Sequence, residues 1–156
     1  MKRFHIHIGV EKLEDSIRFY TALFGAEPVK RKADYAKWLL DDPRVNFAIS
    51  TRAKNGMDHM GIQVDEDKEL AELRERFKVA DMPVVEEGET VCCYARSDKS
   101  WVQDPGGIPW EAYWTMEDAQ VFSAHINEGE NACCTPETMG KPDCCVPSER
   151  TTGCCG

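Results

Sequence analysis

Phe4-His5-Ile6-His7-Ile8-Gly9-Val10 alternates apolar and other positions with a period of two, which predicts a half-buried strand. The period then changes. Leu13, Ile17, Tyr20 and Leu23 recur at three- and four-residue intervals and predict a helix with one apolar face, ended by Gly25 where a left-handed residue is favoured. The same order returns in Asp58-His59-Met60-Gly61-Ile62-Gln63-Val64, followed by an acidic helix start over 65–67 and an apolar face of Leu70, Leu73 and Phe77. Shorter strand-like runs follow each helix: 36–40 and 45–50, then 84–86, 91–95, 100–103 and 108–114. Asp42-Pro43 precedes the last run of the first half, and Asp104-Pro105-Gly106-Gly107 that of the second. Each half therefore reads as βαβββ. Neither half buries its sheet face alone, so the expectation is one α+β domain over 1–115, with modules of about 1–55 and 56–115.

Over 116–156 the apolar periodicity stops and Gly, Pro, Glu, Thr and Ser dominate, which predicts a flexible, low-complexity tail. A chain of 156 residues, 42% hydrophobic, suffices for one core. A net charge of -9 leaves no basic surface for a phosphate backbone, so no nucleic-acid partner is expected. The opening Met1-Lys2-Arg3 leads into a short alternating run, neither a signal-peptide core nor a membrane span. The expectation is a cytoplasmic protein without a membrane partner, whose thiols stay reduced. The sequence leaves its oligomeric state open.

All eight cysteines form adjacent pairs: Cys92-Cys93, Cys133-Cys134, Cys144-Cys145 and Cys154-Cys155. Neighbouring Cα atoms lie about 3.8 Å apart, whereas disulfides span roughly 4.4 to 6.8 Å, so a pair is badly shaped to close on itself. Adjacent thiolates suit a soft centre such as Cu(I), Zn(II), Cd(II) or trivalent arsenic. Three of the four pairs fall in the tail, which reads as a thiophile-binding array.

His5 and His59 occupy matching positions in the two halves, and Glu111 lies on the last strand-like run. Aligning the two Asp-Pro turns places Ala48 where Glu111 stands in the second half. The candidate metal site is thus His5, His59 and Glu111, with a fourth symmetry-related ligand deleted. Two histidines and a carboxylate with open positions suit non-haem Fe(II), and a hydrolytic zinc uses the same ligand types. His7 competes with His5 but does not match His59. Trp38, Trp101, Trp110 and Trp114 are candidates to line a pocket, and 96–100 reads as a polar turn, either a lid or an ordinary hairpin loop. Lys99 receives no catalytic role, and His125 is read as an exposed bystander.

The pattern from Phe4 through Ser16-Ile17-Arg18-Phe19-Tyr20 to Leu23-Phe24-Gly25 resembles the vicinal oxygen chelate superfamily of glyoxalases, extradiol dioxygenases and bleomycin-resistance proteins. That resemblance implies two βαβββ modules forming a cup around a divalent metal. More narrowly, Asp34-Tyr35-Ala36-Lys37-Trp38, Pro43-Arg44-Val45-Asn46-Phe47-Ala48-Ile49-Ser50, Asp58-His59-Met60-Gly61-Ile62-Gln63-Val64 and Cys92-Cys93-Tyr94-Ala95-Arg96-Ser97-Asp98-Lys99 are similar to the organoarsenical carbon-arsenic lyases and to cadmium-induced proteins. The likeness implies an Fe(II)-dependent, dioxygen-requiring cleavage of trivalent organoarsenicals, methylarsenite and reduced aromatic arsenicals included. His5, His59 and Glu111 would hold the iron, and Cys92 and Cys93 the arsenic. Two other functions compete. A glyoxalase-type isomerase generally needs a fourth protein ligand, which Ala48 does not supply. A protein that sequesters cadmium or arsenic without turnover suits the cysteine pairs but needs no triad.

Overall fold

The computed structural model describes residues 1–121 and 123–125. The predicted tail beyond them, with its three cysteine pairs, lies outside the described residues, as does the side chain of His125. The first module comprises β1 (Arg3–Gly9), α1 (Leu13–Phe24), β2 (Lys30–Lys32), β3 (Tyr35–Asp41) and β4 (Arg44–Ser50). The second repeats it with β5 (Gly56–Val64), α2 (Asp67–Val79), β6 (Val85–Cys92), β7 (Ala95–Gln103) and β8 (Pro109–Asp118), and β9 (Ser123–His125) follows. The strands form one sheet in the order β2-β3-β4-β1-β5-β8-β7-β6-β9. Within each module the first strand runs parallel to the last, β1 beside β4 and β5 beside β8, and the modules join through the antiparallel β1–β5 seam. This is the α+β, two-module arrangement expected from the repeat.

Side chains alternate across each strand, so the two sheet faces divide the chemistry. Ile6 and Ile8 turn toward α1 and pack with Leu13, Ile17, Trp38, Phe47 and Ile49, while Val64, Leu70, Leu73 and Ala112 form the matching core under α2. His5 and His7 turn to the other, concave face. One helix residue departs from the expected stripe. Leu23 is 63% exposed and Phe24 takes its place against Tyr20, Trp38 and Phe47, because 13, 17, 20 and 24 keep the contact line that 23 leaves. Gly25 closes α1 at φ 64°, as its position predicts.

Other departures concern the second module. The run 91–95 is not a strand: β6 ends at Cys92, Cys93 and Tyr94 make the turn, and β7 begins at Ala95. Residues 96–100 are neither lid nor loop but lie inside β7. Their polarity is satisfied from both sides, since Arg74 of α2 donates to Ser100 Oγ at 2.7 Å and Asp98 Oδ1 at 2.7 Å while Lys99 faces the concave side. β8 continues to Asp118 and β9 pairs with β6, so ladder hydrogen bonds carry the sheet past residue 115, where apolar periodicity ends.

Candidate metal and thiol site

The ladder registers bring the expected residues together. On β1 and β4, His7 lies opposite Ala48; on β5 and β8, Gly61 lies opposite Glu111. If His5 corresponds to His59, then His7 corresponds to Gly61 and Ala48 to Glu111, which is the correspondence the Asp-Pro turns suggested. Gly61 is obligatory here, because a Cβ would fall 2.2 Å from the Glu111 carbonyl oxygen. The close approach of β5 to β8 carries Glu111 toward the histidines on the seam.

His5 Nε2 and His59 Nε2 stand 3.1 Å apart, and Glu111 Oε2 is 3.7 Å from each. The three donor atoms all lie within 4.8 Å of one another, on buried side chains. Hydrogen bonds on the far side of each ring fix what faces inward. His5 Nδ1 donates to the Asn46 carbonyl at 3.1 Å, and His59 Nδ1 donates to Asp58 Oδ2 at 2.7 Å. Each Nε2 is therefore a bare lone pair, and Glu111 Oε1 already accepts from Lys99 Nζ at 2.6 Å. Three acceptors converge with no proton between them, which suits a divalent cation.

Asp58 reaches this position through a β-bulge. His7 pairs with His59 but Ile8 pairs with Met57, leaving Asp58 as the extra residue, so its carboxylate turns back onto both His59 Nδ1 and His7 Nδ1 (2.8 Å). His7 is thus tied to Asp58 and does not join the triad, although His7, Asp58 and His59 form a second cluster of metal-ligating type. Burial opposes the charge on Asp58, but the two histidine hydrogen bonds hold its carboxyl well below the usual range. Burial likewise opposes ionisation of Glu111, and Lys99, His59 and His5 outweigh it, holding the carboxyl down at about 2. Burial, with His59 nearby, drives His5 down to about 3, so it is neutral at physiological pH.

These shifts have a measurable sign. His5 binds its proton near 6.5 in the unfolded chain and near 3 in the metal-free folded one, so between these values the unfolded state holds the extra proton. Stability of chelator-treated protein therefore falls on acidification through that window. Urea unfolding from pH 7 to pH 4 should show this fall, and His5→Gln should lessen it while buried His7, shifted the same way, keeps the remainder.

Cys93 belongs to the same concave face. It packs against the cluster of Tyr35, Ala48 and Tyr94, so a thiol lies near Ala48, the residue that corresponds to Glu111 in the first module. Burial, reinforced by Glu111 and Asp58 against the opposing charges of Lys99 and Lys37, pushes its thiol up to about 12. Cys92 Sγ is 3.4 Å from Cys93 Sγ. The expectation that the adjacent pair does not bridge itself agrees with this spacing, and Cys93 is a free thiol. Of the four tryptophans, Trp101 alone faces the site, its ring 5.2 Å from His59. Trp38 and Trp114 belong to the helix-side cores, and Trp110 packs edge-on against Phe4, so they line no common pocket.

Sequence reasoning missed Asp58 and Lys99. The bulge that redirects Asp58 leaves no trace in residue pattern, and Lys99 was set aside because its segment read as a turn.

Two βαβββ modules around a His-His-Glu cluster define a protein of the vicinal oxygen chelate class. The chain belongs to the Glyoxalase/Bleomycin resistance protein/Dioxygenase superfamily, whose family model matches residues 2–112. It is 39% identical to the trivalent organoarsenical cleaving enzyme of Bacillus sp. (strain MD1), over 99% of each chain. It is 33% identical to the cadmium-induced protein CadI of Mycobacterium bovis, over 86% of this chain and 93% of that one. The Mn(II)-bound glyoxalase from Novosphingobium aromaticivorans shares the fold with a TM-score of 0.54 at 20% identity, over 80% of this chain and 44% of the other. No helix among the described residues is long and apolar enough to cross a membrane.

Proposed function

We propose that this protein cleaves the carbon–arsenic bond of trivalent organoarsenicals, with Fe(II) held by His5, His59 and Glu111, dioxygen as co-reactant, and Cys92 and Cys93 as the arsenic-binding thiols. The observation that carries the reading is a juxtaposition: a vicinal thiol pair ends at the one side of the His-His-Glu cluster that lacks a protein ligand. The name of the 39% identical relative supports the substrate class.

Fe(II) at the triad would supply the activation of dioxygen. The chain's own residues do the rest. Trivalent arsenic bearing one carbon has two exchangeable hydroxyls, and two thiols displace them as two waters. The high proton affinity of Cys93 is then no obstacle, since its proton leaves with the displaced hydroxyl. Asp58 and the Asn46 carbonyl keep both imidazoles presenting Nε2, and Lys99 holds Glu111 ionised and aimed inward. Holding the arsenical beside the triad replaces a bimolecular encounter with a positioned one. The overall change balances without a further reductant: CH3As(OH)2 and O2 together equal As(OH)3 and HCHO. Carbon gives up the four electrons that dioxygen takes, and arsenic stays trivalent.

The test is reduced protein incubated with methylarsenite and Fe(II), under air and under nitrogen. Equal amounts of arsenite and formaldehyde should form under air and none under nitrogen. Loss of free methylarsenite without either product, alike in both gases, would leave sequestration as the function. A preliminary reduction is part of the assay, because two thiols are needed to hold arsenic through two bonds.

A further inference from the structure

Adjacency alone does not make Cys92 and Cys93 a chelate. Along an extended strand, neighbouring side chains point to opposite faces, which would hold the two sulfurs apart. They approach to 3.4 Å because the chain turns at this point. Cys92 and Ala95 form the last rung between β6 and β7, and the two residues between them, Cys93 at φ 56° and Tyr94 at φ 59°, are both left-handed. A two-residue hairpin turn of this hand ordinarily uses Asn, Asp or Gly, because a side chain with a Cβ is strained there. Cysteine and tyrosine do not favour it, so surrounding contacts must hold it.

Those contacts converge on Tyr94. Its hydroxyl donates to Asp34 Oδ1 at 2.6 Å, and Asp34 is itself ion-paired with Arg52. Its carbonyl accepts from Lys30 Nζ at 2.7 Å and from the Ala119 amide at 2.9 Å. Its ring lies 5.8 Å from that of Tyr35, with Lys32 Nζ 5.3 Å from its centre. Asp34 belongs to the β2–β3 turn of the first module, far along the sheet order from β6. The hydroxyl bond therefore spans the open side of the curled sheet and ties the thiol turn of one module to the hairpin of the other.

We infer that Tyr94, anchored on Asp34, is the positioning residue that sets Cys93 beside Cys92 and over the metal cluster for capture of a trivalent arsenical. The inference rests on the proposed role of the thiol pair. Without the anchor the turn relaxes toward an unstrained geometry, and Cys93 swings away from both its neighbour and Ala48.

The test uses the full chain, reduced and kept anaerobic, with the six cysteines Cys133, Cys134, Cys144, Cys145, Cys154 and Cys155 replaced by serine so that only the turn pair binds. Phenylarsine oxide is the arsenical probe, competed against a small dithiol, and Mn(II) titration reports the metal site. Tyr94→Phe keeps the ring and removes the hydroxyl; Asp34→Asn weakens the acceptor. Each should raise the dissociation constant for phenylarsine oxide about tenfold, by analogy with lost outer-shell support of a ligand, while Mn(II) affinity stays unchanged. The double variant should be no weaker than the worse single one, since both act on one bond. Wild-type phenylarsine oxide affinity in both single variants would overturn the inference, as would a parallel loss of Mn(II), which would mark a general loosening of the fold. Cys93→Ser binding the probe as tightly as the parent would overturn the dithiol reading itself, and this inference with it.

Discussion

Cys93→Ser in the reduced protein is expected to lower kcat/KM for methylarsenite cleavage by at least about 100-fold, the scale on which a misplaced reacting group costs rate. Metal affinity should stay within about twofold, because the thiol sits beside Ala48 and not among the three converging acceptors. A single remaining thiol attaches arsenic through one bond, leaves the carbon–arsenic axis free to rotate, and loses the arsenical quickly. Steady-state assays paired with Mn(II) titration check both halves. Full activity would remove the thiol pair from the mechanism, and parallel loss of Mn(II) would make Cys93 a metal ligand.

His5→Ala, His59→Ala and Glu111→Ala should each abolish cleavage and lower metal affinity more than about 100-fold, since each removes one of three protein ligands. His7→Ala should cost about tenfold or less, because His7 hydrogen-bonds Asp58 and packs on the His59 ring but contributes no atom to the three converging acceptors. The reverse order for His5 and His7 would show that a different histidine cluster binds the ion. Glu111→Ala carries a separate penalty, because it strands the buried Lys99 ammonium; breaking such a pair costs about 3–5 kcal/mol. Adding Lys99→Met to Glu111→Gln relieves that charge. If this double variant is folded by circular dichroism yet binds no Mn(II), the loss belongs to the ligand.

The meeting of those three residues was legible because duplication writes its own alignment. His5 and His59 stood at one place in two copies, and the β1–β4 and β5–β8 registers agree with the Ala48–Glu111 correspondence drawn from the two Asp-Pro turns. What stayed hidden depends on local departures from strand geometry. Asp58 precedes His59 and by alternation would face the opposite side; a bulge reverses that. Cys93 and Tyr94 read as part of a strand because nothing in their chemistry signals a left-handed turn. β2 is three charged or basic residues, Lys30-Arg31-Lys32, with no apolar partner to mark a period. Polar residues on β7 read as a loop because their partner, Arg74, lies on a distant helix.

The histidine and carboxylate donors sit on β1, β5 and β8, so they meet only after strands from both ends of the described chain have assembled across the seam. An unfolded chain offers no such cluster. It does offer adjacent cysteines, whose sulfurs a flexible chain, unlike an extended strand, can bring together around a soft ion without the rest of the fold. During synthesis, soft metals therefore find ligands before the histidine–carboxylate cluster exists, and by mass action whatever they bind in the unfolded chain favours that state. Cadmium or arsenite present at refolding should thus lower the yield of folded protein, while a hard cation added later finds its ligands already assembled. The order in which metals are met, and not their affinities alone, then governs how much active protein a stressed cell obtains.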